Sequence, residues 1–259
     1  MLILVTNDDG VHSPGLTVLA RSLAELGRVV VVAPDRERSA VGHALTLHAP
    51  LRADEIRPDV FAVDGTPTDC VNLGIHGLLA EKPRLVVSGI NRGGNLGDDI
   101  TYSGTVAAAM EATLMGVPAF AISLDGERFQ DEDFAAAGLF ARKLAEVLLE
   151  KGLPLDTFLN VNVPAGCPRG VRLTQQGKRR FADLVVEKLD PRGRKYYWIG
   201  GGEIGFHDVP GSDFHAVHRS FISITPLHLN LTNHRAFTLL DKWELDSLSK
   251  PQQDCGNGS

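Results

Sequence analysis

The sequence predicts an α/β protein: a Rossmann-like parallel sheet covered by helices, followed by a C-terminal α+β extension. Short apolar runs alternate with stretches of helical periodicity up to about Pro164. Strands that are apolar on both faces belong to parallel sheets buried between helix layers. Beyond Pro164 the alternation stops, and strand-like pieces and a last helical stretch follow without βαβ rhythm. The composition supports a core: 43% of residues are hydrophobic and 22% charged, a globular rather than a disordered balance.

Leu2–Thr6 is the first buried strand. Gly15–Gly27 carries Leu16, Leu19, Ala20, Leu23 and Leu26 at helical spacing, with Gly27 as the expected stop. Val29–Ala33 is β-branched and apolar, hence a strand. Leu45–Val63 reads as extended pieces around Pro50 and Pro58, a hairpin appended to the sheet. Thr66-Pro67-Thr68-Asp69 has a capping residue and an early proline, and opens a helix running to about Ala80. Leu85–Ser88 is a strand, Thr105–Leu114 a small-residue helix, Val117–Leu124 a strand, Asp131–Gly152 a long amphipathic helix and Phe158–Val163 a further strand. Val185–Ile199 is strand-like and broken by the turn Asp190-Pro191-Arg192-Gly193. Phe221–Thr225 reads as a strand and Arg235–Leu248 as a terminal helix. The expected division is therefore 1–164 for the core with its hairpin, 165–249 for the extension and 250–259 for a polar, disordered tail.

Several function classes are disfavoured at this level. The net charge is −6, so there is no basic field for a nucleic-acid polymer. No apolar run approaches the roughly 18 residues of a membrane helix. The chain reaches Asp8 with no signal-type stretch before it, and its three separated cysteines suit neither a disulfide framework nor zinc. A cytoplasmic protein is expected. The chain carries no G-x-G-x-x-G after the first strand, no P-loop and no G-x-S-x-G elbow.

Ligands of open parallel sheets bind beyond the carboxyl ends of the strands. Three polar segments fall there. Thr6-Asn7-Asp8-Asp9-Gly10 places two adjacent acids directly after a buried strand. Adjacent acids alone suit a helix cap plus a solvated partner; flanked by Asn7 and Gly10 at a strand end, they suit a cation. Asp35–His43 offers Ser39 as a neutral oxygen ligand, although an ordinary surface loop fits equally, and a lone His43 more often makes only local hydrogen bonds. Ser88–Thr105 holds five glycines in eighteen residues, together with Asn91 and Asn95, and ends in Ser103-Gly104-Thr105 at a helix start. Hydroxyls and unpaired N–H groups at a helix N-terminus favour phosphate. Two carboxylates, a serine and one or two asparagines make an all-oxygen site suited to Mg²⁺, Mn²⁺ or Ca²⁺. With the helix start, this points to metal-assisted phosphate hydrolysis. A metal- and nucleotide-holding sensor without turnover, and an acyl or glycosyl hydrolase, are the competing classes. The second is disfavoured because no His–Asp partner stands beside the hydroxyls.

These residues resemble the SurE (survival protein E) nucleotidases. The likeness runs through Val5-Thr-Asn-Asp-Asp-Gly10 with Ser13-Pro-Gly15, Ala33-Pro34 with Ser39, Gly65-Thr-Pro with Asp69-Cys70-Val71, Ser88-Gly-Ile-Asn91 with Gly93 and Asn95, Tyr102-Ser-Gly-Thr-Val106, and Ser223-Ile-Thr-Pro-Leu227. The resemblance implies a metal-dependent phosphatase that releases inorganic phosphate from nucleoside 5′- or 3′-monophosphates. It implies one Mg²⁺ or Mn²⁺ held by Asp8, Asp9, Ser39 and Asn95, with Asp8, Asp9 and Asn91 as catalytic residues and Ser103, Gly104 and Thr105 against the phosphate. It also implies that the C-terminal extension takes part in oligomerisation, through elements exchanged between protomers in a homo-dimer or homo-tetramer. Ala112 and Asn230 depart from the family pattern, at positions where glycine and an acid are common.

Overall fold

The computed structural model describes residues 1–126, 128–180, 185–199, 205–243 and 245–249. The chain forms two compact units, Met1–Leu229 and Asn230–Ser259.

The first unit is built on nine strands in one sheet. In chain order its elements begin β1 (Leu2–Thr6), α1 (Pro14–Leu23), β2 (Arg28–Pro34), β3 (Ala53–Arg57), β4 (Val60–Val63), α2 (Pro67–Leu73) and β5 (Leu85–Arg92). They continue α3 (Gly104–Leu114), β6 (Ala119–Asp125), α4 (Asp131–Lys151), β7 (Thr157–Pro164), β8 (Val171–Leu173) and β9 (Arg179–Arg180). The last are β10 (Val185–Leu189), β11 (Lys195–Ile199), β12 (Gly205–Phe206), α5 (Asp213–His218) and β13 (Ile222–His228). The sheet order is β3-β4-β2-β1-β5-β6-β7-β13-β8, parallel from β4 through β7.

The apolar strands are explained by two cores, one on each face. Ile3 and Val5 of β1, with Leu85 and Val87 of β5, pack on one side with Leu16 and Leu19 of α1 and Phe134 of α4. Leu2, Leu4 and Val86 pack on the other with Val71 of α2 and Val106 of α3. Successive residues therefore alternate between two interiors, not between an interior and water.

Local signals behave as the sequence suggests, with some differences in extent. Ser13 Oγ accepts from Leu16 N and starts α1, with Pro14 in the first turn. Thr66 and Asp69 form a reciprocal capping box at α2. The helix expected to reach Ala80 ends at Leu73 and continues as a π-helical turn, Gly74–Leu78. Likewise α1 ends at Leu23, so Gly27 is not its stop. A Cβ on Gly27 would lie 2.5 Å from the Met1 carbonyl oxygen; that close approach accounts for the glycine. The expected appended hairpin is part of the sheet, because β4 pairs in parallel with β2 and carries β3 at the edge.

The sheet also runs through the boundary expected at Pro164. β13 pairs antiparallel with β7 over Ser223–His228, and β8 then pairs with β13. β10 and β11 form a separate hairpin around the expected turn, with every residue of the two strands exposed.

In the second unit, the continuous helix expected over Arg235–Leu248 is replaced by short turns. These are 3₁₀ segments at His234–Ala236, Asp241–Trp243 and Leu245–Ser249, with four α-helical residues, α6 (Phe237–Leu240). Phe237, Leu239, Trp243 and Leu245 are all exposed, so among the described residues no buried apolar face stabilises a longer helix. The expected tail, 250–259, lies outside the described residues.

Candidate active site

The carboxyl ends of β1, β2 and β5 and the start of α3 converge on Asp8 and Asp9. Asp8 is buried, at 6% exposure, and Asp9 is half-buried. Thr105 Oγ1 donates to Asp8 Oδ1 at 2.5 Å, and the Arg38 backbone N–H donates to the Asp8 carbonyl oxygen at 2.8 Å. The Arg92 backbone N–H donates to Asp9 Oδ2 at 3.2 Å. One acid is thus tied to α3 and the other to the end of β5. Burial pushes the Asp8 carboxyl up, against the hydrogen bonds from Thr105. Asp9 rises to about 6, first from burial and then from the adjacent Asp8 charge.

Gly104 sets how closely α3 approaches. A Cβ there would stand 2.9 Å from Asp8 Cβ and 3.0 Å from Pro67 Cγ. Only a residue without a side chain lets the helix start close on the acid. Ser103 is the N-cap, its Oγ accepting from Val106 N at 3.1 Å. The Thr105 hydroxyl is engaged by Asp8 rather than turned to a separate ligand. Asn91 lies where the β5–β6 register shifts after Ser88, and its Nδ2 donates to the Gly93 carbonyl oxygen at 2.7 Å. Such an irregularity re-aims side chains at a strand end.

Asn95 is held on another side. Its backbone N–H donates to Asn162 Oδ1 at 2.8 Å, and its carbonyl oxygen accepts from Asn160 Nδ2 at 2.8 Å and Asn162 Nδ2 at 3.0 Å. Its own Nδ2 donates to Ser123 Oγ at 2.8 Å, committing the amide nitrogen and leaving Oδ1 as the end suited to a cation. Ser39 is exposed and donates to Glu37 Oε1 at 2.5 Å. No hydrogen bond joins Ser39 or Asn95 to either acid among the described residues; their neighbours place them.

The reading from sequence missed Glu37, Ser123, Asn160 and Asn162. Glu37 adds a negative charge that raises both Asp8 and Asp9. The two asparagines carried a usable signal: amides two residues apart share one face of a strand and alternate with the apolar Leu159, Val161 and Val163.

The chemistry of the donors fits a hard divalent cation. Two neighbouring carboxyls are both pushed up, chiefly by burial, and among the described residues Asn7 Oδ1 is buried with no hydrogen-bond partner. Among the described residues no cluster of three or more His, Cys, Asp or Glu side chains forms a metal site, so the candidate set is two acids plus neutral oxygens. A cleft of about 580 Å³ opens beside Asp9.

Comparison with known proteins finds relatives over most of the chain. The family model described as Survival protein SurE matches residues 3–183. A protein of Syntrophotalea carbinolica named 5′-nucleotidase SurE is 70% identical over 95% of this chain and 98% of its own length. One of the same name from Geobacter sulfurreducens is 61% identical over 100% of this chain and 99% of its own. The crystal structure of the SurE protein from Aquifex aeolicus superimposes with a TM-score of 0.84 at 45% identity, covering 94% of this chain and 100% of that one. With the motifs in order along a doubly covered parallel sheet and relatives matched end to end, the chain belongs to the SurE family.

Proposed function

We propose that the chain is a divalent-metal-dependent phosphomonoesterase that hydrolyses nucleoside 5′- and 3′-monophosphates to nucleoside and inorganic phosphate. The observation that carries this reading is the buried Asp8 carboxylate, beside Asp9, clamped against the N-terminus of α3. The relatives' name, 5′-nucleotidase, supports the substrate class.

Asp8, Asp9, Ser39 and Asn95 are the residues that would hold one Mg²⁺ or Mn²⁺. When bound, that ion supplies charge neutralisation, an acidified water and polarisation of a phosphoryl oxygen. The protein's own groups do the rest. Thr105 fixes the Asp8 carboxylate, while Asn160 and Asn162 fix the backbone of Asn95. The dipole of α3 and the Ser103 hydroxyl face a phosphate placed before the helix, and Asn91 contacts its oxygens from the end of β5. Charge spreads over those oxygens in phosphoryl transfer, so positioned donors supply the stabilisation. The protein works in the cytoplasm, as its free Cys70 and Cys167 suit, and as a homo-dimer or homo-tetramer. The exposed β10–β11 hairpin, with Tyr197, Trp198 and Ile199, supplies an apolar surface for that assembly.

Release of phosphate from adenosine 5′-monophosphate, with Mn²⁺ and then with excess EDTA, tests the reading. Metal-dependent release that the chelator abolishes is expected. Activity that survives the chelator overturns the metal mechanism, and ligand binding without release overturns the enzyme.

A further inference from the structure

The cleft beside Asp9 has more room than a phosphate needs, at about 580 Å³, within the range of small-molecule sites. Its walls include His12, Arg36, Arg92, Phe129 and Asp131. One wall carries a guanidinium and an aromatic ring. The Arg92 guanidinium lies over the Phe129 ring, 5.3 Å from Cζ to the ring centre. Among the described residues Arg92 makes no ion pair, so the ring is what its planar cation rests on. Phe129 is half-buried and braced from behind by Phe134, whose ring centre is 6.3 Å away and whose side chain belongs to the core. The same Arg92 donates its backbone N–H to Asp9 Oδ2. The ring–guanidinium pair and Asp9 are therefore linked through one residue.

We infer that Phe129 and Arg92 form the nucleobase platform: the base of a nucleoside monophosphate stacks on this pair while its phosphate lies at Asp9 and the start of α3. The inference rests on the nucleotidase reading above. Nothing in a ring and a guanidinium plane reads base edges, so the platform accepts every base and holds the larger purines better.

Ribose 5-phosphate has the same ester and no base, so it separates the platform from the chemistry. The measurement is the ratio of kcat/KM for adenosine 5′-monophosphate to that for ribose 5-phosphate, with Mn²⁺, in folded variants of matched thermal midpoint. Phe129→Leu keeps the apolar contact with Phe134 and removes the aromatic face; the ratio is expected to fall roughly 10-fold and to recover in Phe129→Tyr. Adenosine titrated against the metal-free protein gives a second readout. Its H2 and H8 resonances are expected to broaden with the wild type and not with Phe129→Leu. An unchanged ratio and unchanged broadening in Phe129→Leu overturn the platform and leave the nucleotidase reading standing. A wild type that releases phosphate from neither ester overturns that reading and the platform with it.

Discussion

β1 and the β10–β11 hairpin are both rich in large apolar residues, and their surroundings differ completely. All five residues of β1 are buried, and all ten of the hairpin strands are exposed, including Trp198 at 60% and Ile199 at 86%. β1 satisfies its apolar groups within the chain, between two helix layers. The hairpin pairs its backbone internally, but leaves its side chains for another surface. The same hydrophobic driving force thus builds the support of the candidate site in one region and leaves an exposed apolar face in the other. A site built around a buried carboxylate needs the rigidity of the first, whereas the second keeps its apolar side chains exposed.

The contrast breaks most sharply in stability. Phe120→Ala, at a fully buried position of β6, is expected to cost about 3–5 kcal/mol in chemical denaturation. Trp198→Ala is expected to stay within about 0.5 kcal/mol for the isolated protomer. Equal costs would mean the hairpin is packed in the working protein.

At the candidate active site the expected effect is on turnover. Asp8→Asn and Asp9→Asn should each lower metal-dependent phosphate release by more than the ~10–100-fold typical of a metal's outer-shell partner, with circular dichroism unchanged. Full activity in both variants would remove the acids from the site.

Gly104→Ala sharpens the comparison by adding one methyl where α3 meets Asp8. The forced shift is expected to cost about 1–3 kcal/mol and to reduce activity as well. A thermal midpoint and kcat equal to the wild type would show that the helix start can retreat freely.

The hairpin should control mass rather than fold. Light scattering at micromolar concentration is expected to give a multiple of the 27.9 kDa chain. Trp198→Asp should shift the distribution toward the single chain, as should removal of residues after Asn230. A wild type that scatters as one chain would show that the exposed face has no second copy to cover it.

The smallest effect is a pH slope. Asp9 is raised in the folded protein, so folding holds its proton more tightly than the unfolded chain does. Its contribution is present below the unfolded value of 3.8 and is lost as pH rises toward about 6. The thermal midpoint of metal-free protein should therefore fall over that window, less so in Asp9→Asn. Mn²⁺ affinity should weaken below about pH 6, where the carboxyl takes up its proton. Affinity independent of pH across that window would argue against Asp9 as a ligand.

The sequence by itself determined the doubly covered sheet, the caps at Ser13 and Thr66, the adjacent acids at the end of β1 and the glycine-rich segment before α3. Each is local: a cap, a period or a strand end depends on neighbours within a few residues. The tertiary structure decided what depends on distant contacts. It placed β4 against β2 and β13 against β7, extending the sheet past Pro164. It engaged the Thr105 hydroxyl with Asp8, ninety-seven positions away, and clamped Asn95 with Asn160 and Asn162. It also divided the stretch after Asn233 into short turns, because periodicity alone does not provide a face to bury. Apolar patterning states that a side chain avoids water, and only the folded arrangement decides which surface removes it from water.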